Sequence, residues 1–252
     1  MKDEQKYLNW LKRDKYGGRA PSEKLVADLA RLQKGEPLDY VVGWRPFLGC
    51  RIDLSDRPLI PREETEHWAK EVIDEIKKDK REKIKCLDLF AGSGCVGLAV
   101  LVNTKRTEVT FADKSPRALR SIKKNLKLNY SLIGSRRVKI RASDVWSNLS
   151  GSFDYIFANP PYIPSDRKLP PSVTKYEPRE ALRGGRDGLF YIKKFLKQAP
   201  EHLTKTSKIY LEFGYGQKKA IDQILKNSGF DSWIFDKDQF GRYRFAIIQN
   251  SR

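Results

Sequence analysis

Residues 84–113 read IKCLDLFAGSGCVGLAVLVNTKRTEVTFAD, and this stretch decides the fold. IKCLDLF is a short apolar run that ends at a glycine-rich turn, which is typical of a buried strand. CVGLAVLV predicts a helix after the glycines, and EVTFAD predicts a second strand. Strands that alternate with helices indicate a mostly parallel sheet covered on both faces.

The alternation of strands and helices continues to the C-terminus. Further helices are predicted over SPRALRSIKKNLKLN, near Gly188 to Leu203, and over QKKAIDQILKNSG. Further strands are predicted over RVKIRAS, FDYIFA, KIYLEFG, SWIFD and RYRFAIIQ. KDQFG joins the last two strands as a hairpin, so that edge of the sheet should be antiparallel. The predicted fold class is α/β, with a mostly parallel seven-stranded sheet and an antiparallel C-terminal edge hairpin.

The chain before this alternation divides into two pieces. Residues 1–34 carry apolar positions at helical spacing, which predicts a short helical N-terminal segment. Residues 35–62 contain short β-like runs broken by glycine and proline, which predicts a β-hairpin linker. Glu63 to Lys77 predicts the helix that opens the main domain, residues 63–252.

Composition and charge bound the class of protein. The 252 residues are 39% hydrophobic and 33% charged, which fits a globular chain. The sequence has no apolar run of membrane-spanning length and no signal peptide, so we expect a cytoplasmic protein. The net charge of +18 fits an exposed basic surface and an association with RNA or the ribosome equally well. Nothing in the sequence requires more than a monomer.

Residues that bind metals are not clustered in the sequence. Cys50, Cys86 and Cys95 form no C-x-x-C pair, and His67 and His202 are far apart. We therefore expect no metal site, and thiols that are reduced and mostly buried.

The glycine turn after the first predicted strand indicates a cofactor site. Small residues there let a ligand approach the backbone and the start of the helix. Gly92, Gly94 and Gly97 satisfy G-x-G-x-x-G, which raises the possibility of a nicotinamide or flavin dinucleotide. Asp88 favours a cationic ligand instead, because a carboxylate fits poorly beside a pyrophosphate but accepts a hydrogen bond from an ammonium group. S-adenosylmethionine carries such an ammonium and a positively charged sulfonium.

Two further acids follow the next strands. Asp113 closes EVTFAD, where an acid can bind both hydroxyls of a ribose, and it begins a helix through Ser115 and Pro116. Asp144 follows the third strand and is a candidate for the adenine amine, with Val145 or Trp146 supplying an apolar face. An aspartate that caps a turn is the alternative interpretation of Asp144.

The segment Asn159-Pro160-Pro161-Tyr162 follows the strand FDYIFA and can hold a planar NH2 group. The Asn159 oxygen can accept one N–H and the Pro160 carbonyl the other, while Tyr162 stacks on the plane. The prolines fix φ and supply no competing N–H. Such a site acts by positioning the nitrogen in line with a methyl group on sulfonium. Taken alone, the segment is also consistent with a stiff turn.

These motifs together resemble class I S-adenosylmethionine-dependent methyltransferases that act on amino groups attached to planar systems. Three flanking stretches are similar to those of the HemK-type release-factor glutamine methyltransferases. They are GEPLDYVVGWRPFLG (35–49), PLIPREETE (58–66) and YEPREALRGGRDGL (176–189). The similarity extends from about Gly35 to the C-terminus.

The resemblance implies a Rossmann-like methyltransferase domain over residues 63–252, S-adenosylmethionine as cofactor, and a release factor as protein substrate. The methyl acceptor would be the side-chain amide of the glutamine in a Gly-Gly-Gln motif. Together with the residue patterns above, it implies a set of cofactor-binding residues: Asp88, Phe90, Ala91, Gly92, Ser93, Gly94, Asp113, Asp144, Val145 and Asn159. It also implies that Asn159, Pro160, Pro161 and Tyr162 hold the glutamine, with Arg62 near the active site.

The sequence departs from the family pattern at three places. Phe90 replaces the first glycine of the usual turn, and Glu63 stands where a second proline is usual. The helical segment before Gly35 is much shorter than the family's substrate-docking bundle.

Three other functions stay open at the level of sequence. They are methylation of the exocyclic amine of adenine in RNA or DNA, dinucleotide-dependent redox chemistry, and RNA binding without catalysis. The stretch from Gly35 to Glu66 favours glutamine methylation over adenine methylation. Asp88 and the segment Asn159 to Tyr162 disfavour a dinucleotide enzyme, and the intact Asn159 disfavours RNA binding without catalysis.

Overall fold

The computed structural model of the chain describes residues 8–18, 22–134, 136–230 and 232–249. The strands are β1 (Trp44–Phe47), β2 (Cys50–Asp53), β3 (Ile84–Leu89), β4 (Thr107–Asp113), β5 (Val138–Ala142), β6 (Phe153–Ala158), β7 (Leu203–Glu212), β8 (Ser232–Lys237) and β9 (Tyr243–Gln249). The α-helices are α1 (Ser22–Gln33), α2 (Leu38–Val42), α3 (Glu63–Lys78), α4 (Cys95–Asn103), α5 (Pro116–Leu128), α6 (Tyr130–Ile133), α7 (Pro171–Tyr176), α8 (Phe190–Gln198) and α9 (Lys218–Asn227). A π-helical turn spans Leu11–Lys15, and 3-10 turns span Arg179–Ala181 and Ala199–His202.

Seven strands form the central sheet in the order β5-β4-β3-β6-β7-β9-β8. The five strands β3 to β7 pair in parallel, while β9 is antiparallel to both β7 and β8. The α/β class, the seven strands and the antiparallel C-terminal hairpin are therefore confirmed. The chain leaves β5 at one edge and crosses to β6 beside β3, so the strand order reverses between β3 and β6. Such a reversal opens a crevice at the carboxyl ends of the strands.

Strand register determines which residues meet at this crevice. Leu89 of β3 pairs with Ala112 of β4 on one side and with Ala158 of β6 on the other. The residues that follow these partners, Phe90, Asp113 and Asn159, consequently leave the sheet at the same level. The parallel register thus brings three features to the carboxyl edge of the sheet: the glycine turn, the predicted ribose-binding Asp113, and the NPPY segment, which is Asn159 to Tyr162.

The two faces of the sheet are covered by separate apolar clusters. One cluster contains Trp68 and Val72 of α3 packed with residues of α4 and with Phe111 of β4. The other contains Phe195 of α8 and Leu225 of α9 packed on residues of β3, β6 and β7. This burial on both faces explains why the central strands β3 and β6 are almost entirely buried along their length.

Strand β2 of the small antiparallel pair is attached to the C-terminal end of α5 by two asparagines, Asn125 in the helix and Asn129 directly after it. Asn125 accepts from the Asp53 N–H at 2.7 Å, and Asn129 accepts from the Arg51 N–H at 3.0 Å. The Asn129 side chain also donates to the Arg51 carbonyl at 2.9 Å. The two asparagine side chains form hydrogen bonds with backbone groups of β2 that, within the described residues, have no partner strand on that side. Residues 58–62, which follow the hairpin, are thereby held over the carboxyl edge of the main sheet.

Several predicted elements differ in detail from the structure. The linker region contains the helix α2 before its hairpin, and the helix expected near Gly188 to Leu203 is the shorter α8 followed by a 3-10 turn. The helices α6 and α7 are additional. Part of the predicted N-terminal helical segment, residues 1–7 and 19–21, lies outside the described residues.

Candidate active site

A cavity lies at the carboxyl edge of the sheet, at the point of strand reversal. Its wall combines the ends of β3, β4 and β6 with residues 58–62 and residues 178–181. Of the residues that the sequence predicts for the site, those that line it are Arg62, Asp88, Phe90, Ala91, Gly92, Ser93, Asp113, Asn159 and Pro161. The fold thus gathers most of the predicted site from four separate parts of the chain.

The turn after β3 has a left-handed backbone that glycine adopts easily. Phe90 has a φ of 63°, and Gly92 and Gly94 have φ of 56° and 78°. The Phe90 ring lines the cavity and contacts Tyr191 edge to face, with the ring centroids 6.0 Å apart. A side chain in this region is uncommon. The edge-to-face contacts with Tyr191 and Phe195 hold the Phe90 ring in place in this conformation.

Asp88 lies at the end of β3 and lines the floor of the cavity. Its carboxylate accepts a hydrogen bond from the Gly97 N–H at 2.8 Å, and the side chain is almost fully buried. Burial raises the pKa of Asp88 to about 8, against the effect of that hydrogen bond. A buried carboxyl of this kind is stabilised as the anion by a cation placed beside it.

Asp113 is fixed by two backbone N–H groups. One carboxylate oxygen accepts from Gly92 at 2.9 Å, and the other accepts from Ser115 at 2.8 Å. Burial also raises the pKa of Asp113, while these two hydrogen bonds oppose that shift. The carboxylate therefore ties the glycine turn to the start of α5 and keeps one orientation at the cavity wall.

Asn159 lies half-buried at the end of β6 and is joined to a buried polar network. Its side-chain NH2 donates to the Thr65 hydroxyl at 3.1 Å. Thr65 in turn donates to Glu212 at 2.7 Å, and Trp68 donates to the same carboxylate oxygen at 2.8 Å. Sequence analysis did not identify Thr65 or Glu212 as site residues. The available signal was an acid in KIYLEFG, an otherwise apolar strand, because a buried charge requires partners.

The rest of the NPPY segment is packed rather than open. Pro160 and Pro161 are buried, and of the two only Pro161 is among the residues that line this cavity. Tyr162 is not among the lining residues, and its hydroxyl donates to Glu212 at 3.0 Å.

Two glycines of the YEPREALRGGRDGL stretch lie directly against this segment. A Cβ atom on Gly184 would lie 2.3 Å from the Pro161 carbonyl oxygen, and one on Gly188 would lie 2.2 Å from the Tyr162 carbonyl oxygen. Real Cβ atoms do not approach so closely, so only glycine fits at both positions without moving the backbone. This close approach gives a physical reason for the glycines in residues 184–188.

Arg62 joins the two flanking stretches of the sequence. It donates to Glu177 at 2.6 Å, and the same carboxylate accepts from the Ile60 N–H at 3.3 Å. Glu177 is buried, so its charge is compensated by Arg62. PLIPREETE and YEPREALRGGRDGL, far apart in sequence, are thereby fastened together over the cavity.

Asp144 and Val145 do not line the cavity. Asp144 is exposed and forms an ion pair with Lys194 at 2.6 Å. Val145 is buried with a φ of 59°, in the apolar cluster that contains Trp146 and Phe195. Gly94 lies behind the turn as the residue before α4 and is also absent from the cavity wall.

The described residues contain no group of His, Cys, Asp and Glu side chains arranged to hold a metal ion. Cys50, Cys86 and Cys95 are free and buried, as the sequence predicted. Over the same described ranges, no helix has the length and apolar character needed to cross a membrane.

The chain is similar to known methyltransferases in sequence pattern and in fold. The family described as Methyltransferase small domain matches residues 69–175. The solved structure titled Methyltransferase from Pyrococcus furiosus has a TM-score of 0.55 and 18% identity, covering 87% of this chain and 96% of that one. A ribosomal protein L11 methylase from Lactobacillus delbrueckii subsp. bulgaricus has a TM-score of 0.54 and 18% identity, covering 77% and 82%. These two similarities support the fold.

Curated relatives are more similar in sequence. The Release factor glutamine methyltransferase of Thermodesulfovibrio yellowstonii is 36% identical over 227 residues, which cover 89% of this chain and 80% of the relative. That of Lactococcus lactis is 34% identical, covering 90% and 82%. That of Clostridium botulinum is 36% identical, covering 82% and 74%. This chain belongs to the release factor glutamine methyltransferase family.

Proposed function

We propose that this protein transfers a methyl group from S-adenosylmethionine to the side-chain amide nitrogen of the glutamine in the Gly-Gly-Gln motif of a peptide chain release factor. One observation carries the proposal. A single cavity is lined by the glycine turn, Asp113 and Asn159, and it is covered by the two flanking stretches that Arg62 and Glu177 join. Family membership supports the choice of acceptor, because the relatives named above are release factor glutamine methyltransferases.

The chemistry of the cavity residues fits S-adenosylmethionine. The buried Asp88 carboxyl, whose pKa burial raises to about 8, gains from a positively charged ammonium group beside it. Asp113 offers carboxylate oxygens for the two ribose hydroxyls. Phe90 to Gly94 let the ligand approach the backbone of the turn. Asp144 and Val145 stay our candidates for the adenine end, although reaching it would require the loop after β5 to move.

S-adenosylmethionine, when bound, would supply a methyl group on a sulfonium, whose sulfur leaves readily as a neutral thioether. We assign the Asn159 oxygen and the Pro160 carbonyl to the two N–H groups of the substrate amide. Holding both hydrogens draws them out of the amide plane and frees the nitrogen lone pair. With S-adenosylmethionine bound, the nitrogen lone pair would take the methyl group, the C–S electron pair would stay on sulfur, and the nitrogen would lose one proton to solvent. Tyr162 supports this arrangement through its bond to Glu212.

The surroundings of the reaction belong to the same proposal. We assign the protein to the cytoplasm as a monomer that meets its release factor there, with the +18 charge available for contact with RNA or the ribosome. Methylation of adenine in RNA or DNA is the second candidate, because the same two hydrogen-bond acceptors can bind the NH2 group of a glutamine amide or of adenine.

One assay separates the candidate acceptors. The purified protein is incubated with labelled S-adenosylmethionine and a release factor, its Gln→Ala variant in the Gly-Gly-Gln motif, or total RNA. We expect label in the release factor only. Label in RNA but not in the release factor would refute the proposed acceptor, and equal label in the Gln→Ala variant would refute the proposed position.

A further inference from the structure

Glu212, the last residue of β7, is a buried carboxylate to which the proposed reaction gives no direct role. Its side chain is 1% exposed and receives three side-chain hydrogen bonds, from Thr65, Trp68 and Tyr162. Two of these donors lie on α3, and Tyr162 belongs to the NPPY segment. A carboxylate with this many partners fixes the side chains around it.

The donors and acceptors in this network allow one direction of hydrogen bonding. The Glu212 oxygen that Thr65 contacts also receives the indole N–H of Trp68, which can only donate, so this oxygen is an acceptor and the single hydroxyl proton of Thr65 points to it. The Thr65 oxygen then offers only lone pairs to Asn159, which must present its NH2 group to Thr65. The carbonyl oxygen of Asn159 is left for the cavity that this residue lines. The two ends of an amide have nearly the same shape, so packing alone does not select this orientation.

We propose that Glu212 is a positioning residue which, acting through Thr65, turns the amide of Asn159 so that its oxygen faces the substrate. This inference rests on the proposed function, in which that oxygen accepts an N–H from the methyl acceptor. The reverse orientation would place the Asn159 NH2 against the substrate NH2. Two donors would then face each other and the grip on the amide would be lost.

The surroundings of Glu212 keep it able to accept hydrogen bonds. Burial raises the pKa of Glu212, while the bonds from Trp68, Thr65 and Tyr162 and the charge of Arg244 oppose that shift. Trp68 is the clearest partner, because an indole N–H can only donate. Arg244 itself is buried and pairs with Asp238 at 3.2 Å.

The first test uses a pair of variants at Thr65. Thr65→Val keeps the shape and removes the hydroxyl, and we expect kcat to fall about tenfold or more, with KM for the release factor changed by less than about threefold. Thr65→Ser restores the hydroxyl and should return kcat to within about threefold of wild type. Affinity for S-adenosylmethionine by calorimetry should be equal in all three proteins.

The matched control is Thr104→Val, which removes another buried threonine hydroxyl. This hydroxyl is bonded to the Val100 carbonyl at 2.7 Å and to the Thr107 hydroxyl at 2.8 Å, and Thr104 is not among the residues that line the cavity. It should lose thermal stability as Thr65→Val does but keep wild-type turnover. Wild-type turnover in Thr65→Val, or a loss in Thr65→Ser as large as in Thr65→Val, would overturn the inference.

A double-mutant cycle connects Glu212 to the same step. Glu212→Gln can donate as well as accept, so it removes the restriction on the Thr65 proton. We expect it to lower kcat like Thr65→Val, and we expect the double variant to be no slower than the worse single variant. Additive losses would contradict action through Thr65. If Glu212→Gln fails to fold, the Thr65 pair still decides.

A nuclear magnetic resonance measurement tests the inference without any methyl acceptor. One side-chain NH2 proton of Asn159, assigned by its loss in Asn159→Asp, should exchange slowly with water in the wild type. In Thr65→Val its exchange should become at least about tenfold faster, and Thr65→Ser should restore it. Fast exchange in the wild type would reject the inference. Slow exchange in a protein that leaves the release factor unlabelled would reject only the proposed substrate.

Discussion

Asp113 ends β4 and Asn159 follows β6, on either side of β3, and we assign these two residues to different ligands. Asn159→Ala removes an acceptor for the substrate amide, so we expect transfer to drop at least about 100-fold while S-adenosylmethionine binding stays largely intact.

Asp113→Ala removes the acceptor for the ribose hydroxyls and frees the Gly92 N–H, so cofactor affinity should fall by at least about tenfold. Calorimetry and single-turnover rates measure the two effects. Unchanged affinity in Asp113→Ala, or surviving turnover in Asn159→Ala, would reverse these assignments.

Asp88 should make the cofactor-free protein less stable as pH rises. Its folded-state pKa of about 8 lies above the ordinary value, so the folded state holds a proton that the unfolded chain has lost. The stability from this proton is fully present below about pH 4 and disappears as pH rises through about 8.

Asp88→Asn cannot ionise, so its melting temperature should exceed that of wild type by a few degrees at pH 8 and by less at pH 5. Asp187→Asn is the control, because Lys193 lowers the pKa of Asp187 and the variant should gain nothing at pH 8. A difference between Asp88→Asn and wild type that does not depend on pH would show that Asp88 is not protonated.

Among the elements, the loop of residues 184–188 acts on the site through its backbone. Gly184→Ala would place a methyl group 2.3 Å from the Pro161 carbonyl oxygen, so the loop or the NPPY segment must move. We expect a loss of about 1–3 kcal/mol in stability and at least about tenfold in turnover.

Gly216→Ala provides the comparison for that variant, since its added Cβ meets nothing within 4 Å and costs only backbone strain at a φ of 90°. It should therefore be less destabilised by chemical denaturation and should keep turnover within about threefold. Equal turnover in Gly184→Ala and wild type would mean that the NPPY backbone tolerates displacement.

The helices and strands could be predicted from the sequence, but the contacts between them could not. Alternating strands and helices, with glycines between, were enough to predict β3 to β9 and the acids at their ends, because both follow from local patterns. Thr65 and Glu212 were missed, because their contact joins α3 to β7 across the sheet and no local pattern reports it. Asp144 stays a candidate ligand by its place after β5, and the sequence did not predict the ion pair of its exposed side chain with Lys194 of α8. Such contacts depend on packing between elements distant in sequence.

At the scale of the whole molecule, the net charge of +18 is large for a chain of 252 residues. A positive protein attracts a partner with negative charge over long range, and dissolved salt screens that attraction. We therefore expect kcat/KM for the release factor to fall about threefold or more between roughly 50 and 300 mM salt, while kcat stays constant. A short peptide carrying the Gly-Gly-Gln motif is the control, because it offers little charge and should show no such dependence. A salt-independent kcat/KM for the full release factor would mean that the basic surface serves another partner, and the same titration with RNA would then show whether that partner is a nucleic acid.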